Sequence, residues 1–193
     1  MTATEEQKTS HFDELVRRNR IFAQRGGEAR RNYPALPFVP HQTSFVITCV
    51  DPRTDPAVFL GIELGDAVVL RNVGGRVTPA VIQDVAYIGY LVDRIAPEGP
   101  HFEVAIIHHN DCGTRLLADD ALRQGFVERA GYHDAGLAAL PVLDPEQTVR
   151  SDVELLLSDA RVSRDITVSG HVYDIDTGLV TTVVEPASPR ERA

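Results

Sequence analysis

Two short runs of apolar, β-branched residues, Ser44 to Val50 (SFVITCV) and Glu103 to Ile107 (EVAII), each lead into a turn that carries a cysteine or stop beside one. Runs of this kind, broken by turn chemistry, predict buried strands. In a parallel sheet the ends of such strands open onto a shared crevice, where ligands and metals sit. The first run continues as Thr48-Cys49-Val50-Asp51-Pro52-Arg53, and the second leads to His109-Asn110-Asp111-Cys112-Gly113. The chain has 2 cysteines, one in each of these segments. Cys49, His109 and Cys112 together supply two thiolates and one imidazole, a donor set for zinc that leaves a fourth position open for chemistry.

Strands and helices alternate around these two turns. From His11 to Arg25, Phe12, Leu15, Val16, Ile21 and Phe22 share one helical face, and Gly26-Gly27 is the expected stop. Such a helix either packs on its own domain or lies as an arm across a neighbouring subunit. Residues 28–43, with Pro34, Pro37 and Pro40, read as an extended linker. Asp55-Pro56 opens a short helix, and Asp66 to Leu70 is the second strand. Arg71-Asn72-Val73-Gly74-Gly75 forms a tight turn before a helix from Pro79 to Ile95, whose proline suits the first turn. A helix is expected from Thr114 to Ala130, irregular chain from Gly131 to Leu143, and a helix capped by Asp144 running to Ala160. Asp165 to Val172 and Leu179 to Val184 are strands joined by a hairpin turn over Tyr173 to Gly178. The pattern predicts an α/β fold: a mainly parallel central sheet with flanking helices, an antiparallel last strand and an N-terminal helical arm. The expected organisation is a helical arm and linker over 1–43, a zinc-binding α/β domain over 44–185 and a polar tail over 186–193.

Composition removes several function classes. A net charge of −9 argues against nucleic acid as a main partner, because phosphate binding needs a basic face. No apolar run approaches a membrane span, and MTATEEQKTS lacks the charged-then-apolar pattern of a signal peptide. A cytoplasmic protein is expected, and in that reducing compartment two cysteines are metal ligands or free thiols before they are a disulfide.

An HxxC pair alone is a weak signal; its weight here comes from two strand-end turns that hold both cysteines. Asp51 and Arg53 are two apart, so on extended chain they face the same side as Cys49. Beside a metal the aspartate accepts a hydrogen bond from bound water, and the arginine fork holds that carboxylate. Strand alternation sends His108 to the opposite face, as a packed or hydrogen-bonded histidine. His11, His41, His101, His133 and His171 stand alone and read as structural or surface residues. Asp111 is expected to cap the turn that follows it. The Arg71–Gly75 segment lacks a P-loop lysine and the spaced glycines of a dinucleotide site, so Val73, Gly74 and Gly75 are read as a tight substrate-pocket wall beside the metal.

Cys49-x-Asp51-x-Arg53, then Arg71-Asn-Val-Gly-Gly75, then His109-x-x-Cys112-Gly113, resemble the β-class carbonic anhydrases in kind and in order. The segment from Val168 to Gly178 is similar to that family's closing strands and hairpin, so the likeness spans residues 44–184. It implies one zinc per chain on Cys49, His109 and Cys112, with Asp51 and Arg53 as the family's catalytic Asp–Arg pair. In some members the aspartate itself closes onto the zinc as an inactive state. It also implies a homodimer, or a dimer of dimers, joined through the sheet and the N-terminal helices. The implied activity is reversible hydration of carbon dioxide to bicarbonate by a zinc-bound hydroxide, formed because zinc lowers the pKa of its water. The alternatives are a carbonyl sulfide or carbon disulfide hydrolase on the same scaffold, or a non-catalytic zinc or redox-sensing module. Pro52, Pro79 and Asp84 depart from the family's usual residues, and the chain has no tryptophan for the bicarbonate regulatory site of some relatives.

Overall fold

The sheet grows from β1 (Ser44–Cys49) in both directions. In the computed structural model, which describes residues 11–29, 43–99 and 101–189, β1 is flanked by β2 (Ala67–Asn72) and β3 (Glu103–His109). Beyond β3 lie β4 (Thr167–Tyr173) and β5 (Val180–Ala187), giving the order β2-β1-β3-β4-β5. The first four strands are parallel and β5 is antiparallel to β4. The register pairs Cys49 with Asn72, Thr48 with Ile107 and His109 with Tyr173. The chain runs from β1 to β2 on one side, then crosses back over β1 to form β3 on the other. The carboxyl ends of β1 and β3 therefore flank a topological switch point, the crevice where open α/β sheets bind ligands.

Alternate residues of the strands build the core. Phe45 and Ile47 of β1, Val104 and Ile106 of β3 and Val168 of β4 form one buried cluster. It also takes in Val81, Ile82, Val85 and Val92 of α3 (Pro79–Ile95), with Val149, Val153, Leu156 and Leu157 of α6 (Pro145–Ser158). Fully burying each such side chain is worth about 1.5–3 kcal/mol, so this cluster is the main support of the crevice. Both helices start as expected: the side chains of Thr78 and Asp144 accept the Val81 and Gln147 N–H groups, and a proline follows each cap.

A buried ion pair ties the β2–α3 turn to α6. Arg76 donates from Nε and Nη2 to Asp152 at 2.8 and 2.9 Å, and the Val77 N–H donates to the same carboxylate at 2.9 Å. Burial alone would raise the Asp152 pKa; contacts from His108, Arg76 and the Val77 N–H outweigh it and hold the group below its ordinary value. His108 sits where strand alternation sends it, fully buried, with Nδ1 2.8 Å from Thr148 Oγ1 and Nε2 3.2 Å from Asp152 Oδ2.

Several boundaries differ from expectation. The first helix, α1 (His11–Ala29), runs through Gly26 and Gly27 instead of ending there. A helical glycine costs only about 1 kcal/mol, too little to stop an established helix. This helix belongs to the unit 1–38, and 39–193 form a second unit. The expected helix over 114–130 is two pieces, a 3₁₀ segment Gly113–Ala118 and α4 (Asp120–Ala130). Asp119 divides them by capping the Leu122 N–H in extended conformation. Between Gly131 and Leu143 lies a short α5 (Asp134–Ala138), and α6 ends at Ser158. The short helix after Asp55 is α2 (Pro56–Phe59), β2 runs on to Asn72 and β5 to Ala187. The proline stretch Pro34–Pro40 and His41 lie outside the described residues. No described helix is long and apolar enough to cross a membrane.

Candidate metal centre

Cys49 is the last residue of β1 and His109 the last of β3, so parallel pairing of the two strands brings them to the same end of the sheet. The turn after β3 returns Cys112 to the same point. One ligand atom from each of Cys49, His109 and Cys112 lies within 4.8 Å of the others. The three residues are 4%, 1% and 1% exposed, and Val142 packs beside the two sulfurs.

The donor chemistry of the three is defined by their neighbours. His109 Nδ1 is 2.7 Å from the Asn110 carbonyl oxygen, which can only accept. Nδ1 therefore carries the proton, and Nε2 presents a lone pair. That buried Nε2 has no hydrogen-bond partner among the described residues. The two sulfurs are 4.0 Å apart. Their contact carries Cys112 down to about 3 against burial, with help from Thr114. The same contact, together with burial, pushes Cys49 up, although the N–H groups of Asp51 and Gly74 favour its thiolate. The pair thus gives up its first proton readily and holds the second. An orphaned imidazole lone pair converging with two thiols fits a zinc ion in chemistry and in number, with three ligands and one position left over.

Asp51 and Arg53 form a fork-to-fork pair on the rim. Arg53 Nε and its backbone N–H reach Asp51 Oδ1 at 3.0 and 2.9 Å, and Nη2 reaches Oδ2 at 2.8 Å. These hydrogen bonds hold the Asp51 carboxyl at about 2 against the effect of partial burial. Asp51 is therefore engaged with the arginine rather than grouped with the three ligand atoms.

Asp111 departs from the capping role expected for it. It adopts φ 50°, in the left-handed region, and its carboxylate pairs with Arg53 Nη1 at 3.0 Å and with Arg115. Arg53 Nη2 also donates to the Asp111 carbonyl at 3.1 Å. A cap would have needed the carboxylate to turn back on its own chain, and two guanidinium groups hold it outward instead. Asn110 links the same turn to the β4–β5 hairpin, accepting the Ile175 N–H at 2.8 Å.

Arg71 has a role the sequence reading missed. It donates to the carbonyls of Cys49 and Asp51 at 2.9 and 2.7 Å, and to Asp55 at 3.2 Å, which fixes the turn carrying Cys49 and the Asp51–Arg53 pair. Its register opposite Thr48 is the signal that points to this. Of the expected pocket wall, Gly74 and Gly75 are buried and Val73 is 57% exposed. Gly75 has φ 67°, and a Cβ there would stand 2.9 Å from the Cys49 nitrogen and 3.0 Å from the Thr48 carbonyl carbon. Gly75→Ala therefore has to displace the backbone that carries Cys49. It should lower stability by about 1–3 kcal/mol and weaken metal retention; an unchanged unfolding midpoint and metal content would contradict the close approach. Asp84 lies on the exposed side of α3.

The remaining histidines are not all solitary. His171 lies 2.9 Å from Ser169 Oγ and 3.2 Å from Thr182 Oγ1. His101 comes within 4.8 Å of the carboxylates of Asp93 and Asp165, in a partly exposed group away from the three ligands. His133 is exposed on the approach to α5.

Residues 44–130 match the protein family described as carbonic anhydrase. The β-carbonic anhydrase 1 of Mycobacterium tuberculosis is 28% identical over 154 residues, covering 77% of this chain and 86% of its own. The crystal structure of a carbonic anhydrase from Streptococcus mutans superposes with a TM-score of 0.73 at 32% identity, covering 91% of this chain and 98% of that one. A carbon disulfide hydrolase from an Acidianus species is 22% identical over 161 residues, covering 69% of this chain and 73% of its own.

Proposed function

The chain belongs to the β-carbonic anhydrase family, and on that premise we propose that it catalyses the reversible hydration of carbon dioxide to bicarbonate at one zinc ion held by Cys49, His109 and Cys112. The observation that carries this reading is the buried His109 Nε2, without a hydrogen-bond partner among the described residues and convergent with two sulfurs. Zinc bound there lowers the pKa of a water and supplies a nucleophile near neutral pH, less strongly than beside three imidazoles because two thiolates offset its charge.

The chain's own residues orient the reaction. Asp51 Oδ1 receives two hydrogen bonds from Arg53, whereas Oδ2 receives one. Oδ2 keeps acceptor capacity for the hydrogen of the attacking water, which turns that oxygen's lone pair toward the carbon of carbon dioxide. Arg53 prevents the carboxylate from swinging, and Asp111, itself paired with Arg115, holds Arg53 from the outer side. Gly74 and Gly75 form the near wall of the pocket, with Val73 at its open edge. A homodimer or dimer of dimers belongs to the same proposal on the family's precedent, and a purely monomeric sedimentation profile would remove it.

Asp51, held at about 2, stays ionised throughout the range from pH ~5 to ~9 and contributes no acid limb there. Carbon dioxide hydration should therefore climb from mildly acidic to alkaline pH as the nucleophile forms. A flat profile, or a rise centred near the ordinary carboxylate value, would contradict this assignment.

A second reading, hydrolysis of carbon disulfide or carbonyl sulfide, is favoured by the Acidianus relative. All three substrates are linear with an electrophilic carbon, so the choice rests with the pocket walls and entrance. Purified zinc-loaded protein offered each substrate in parallel separates the readings. Rapid acid release from carbon dioxide supports the first, and hydrogen sulfide production with negligible carbon dioxide hydration would replace it with the second.

A further inference from the structure

Cys112 Sγ has a polar neighbour that the roles above do not use. Thr114 Oγ1 lies 3.1 Å from that sulfur, and the same oxygen accepts the Val142 N–H at 3.2 Å. The residue is 5% exposed, in the 3₁₀ segment that follows Cys112. Its methyl group lies against Gly74, where a Cβ would come within 3.1 Å of Thr114 Cγ2, so the side chain has little room to turn. A hydroxyl has one hydrogen to give, and a thiolate can only accept. With Val142 already donating to the oxygen, the hydroxyl hydrogen is left for the sulfur.

We propose that Thr114 is a positioning residue for the Cys112 thiolate: its hydroxyl, oriented by the Val142 N–H, donates to Sγ and sets how firmly that sulfur holds a divalent metal. The inference rests on the zinc reading of Cys49, His109 and Cys112. A hydrogen bond to a ligating sulfur fixes the direction of its lone pairs and stabilises its negative charge. Partners of this kind around metal ligands typically change metal affinity by about 10–100-fold. Thr114 is also buried on both sides, by Gly74 and by the 142 backbone, so water cannot replace a lost hydroxyl without moving one of them.

The test uses the full-length protein with zinc or cobalt(II) alone as the probe. Thr114→Val keeps the shape of the side chain and removes the donor, and Thr114→Ser keeps the donor and removes the methyl. Competition with a chromophoric chelator should give an affinity for Thr114→Val about 10–100-fold below wild type, with Thr114→Ser close to wild type. In the cobalt-loaded proteins the sulfur-to-metal charge-transfer band should move to lower energy in Thr114→Val only, because an unhydrogen-bonded thiolate is the better electron donor. A merely structural role would leave that band unmoved. Equal affinity and an identical band in Thr114→Val overturn the proposal while the zinc reading stands. Wild-type protein that binds neither metal overturns both. If Thr114→Val fails to fold, Thr114→Ala supplies the same comparison with a smaller side chain.

Discussion

Cys49→Ser and His109→Ala should each be purified with little or no zinc, against about one zinc per wild-type chain, and should lack carbon dioxide hydration. The expected loss is near-complete because the nearest further donor, the Asp51 carboxylate, is held by three hydrogen bonds from Arg53. Among the described residues, the group of metal-ligating atoms at this end of the sheet is Cys49, His109 and Cys112. A serine hydroxyl is a poor replacement for a thiolate that two backbone N–H groups favour. His109→Ala leaves two sulfurs 4.0 Å apart with no imidazole to complete the set. Both side chains sit at strand ends and His109 is deeply buried. Far-ultraviolet circular dichroism should accompany the metal analysis, to separate lost ligation from lost fold. Full zinc content in both folded variants would remove the assignment.

Arg53→Ala should lower turnover by about 10²–10³-fold while most of the zinc stays bound, since removal of one preorganised catalytic contact has effects of this size. Arg53 makes three hydrogen bonds to Asp51 and two to Asp111, and none to the three candidate ligands is present among the contacts that define it. Its removal leaves the Asp51 carboxylate without its fork, and the group's pKa should return toward the ordinary carboxylate range. Asp51→Asn should be comparably impaired, because the amide can present N–H₂ where an acceptor is needed. The double variant should be little worse than either single one, as expected for two residues acting as a unit. Steady-state hydration rates per bound zinc check this. Wild-type turnover in both single variants would make the pair a surface contact of small value.

The parts of this molecule that were legible in the sequence are those governed by local pattern. β-branched runs at Ser44–Val50 and Glu103–Ile107 announce buried strands, and Pro79 and Asp144-Pro145 announce helix starts, because period and capping act over a few residues. Cys49, His109 and Cys112 stand out because both cysteines lie at or just beyond strand ends. Contacts that cross the crevice were hidden. Arg71 serves backbone carbonyls 20 and 22 residues away, which carry no side-chain signature. Asp111 meets Arg53 across 58 residues, and Thr114 is fixed by a backbone N–H 28 residues on. Glycine was over-read at 26–27, where helix continuity outweighs a small local penalty. Asp119 was under-read, as its capping divides what periodicity presents as one helix.

The central claim is that zinc on Cys49, His109 and Cys112 makes this chain a carbon dioxide hydratase, and the most direct measurement is stopped-flow hydration during metal removal and return. Wild-type protein is stripped with a chelator, assayed, then titrated with zinc up to one equivalent per chain. The account predicts loss of activity on stripping and recovery in proportion to bound zinc, saturating at about one per chain. Undiminished hydration in the stripped protein, or no hydration with one zinc bound, would contradict it.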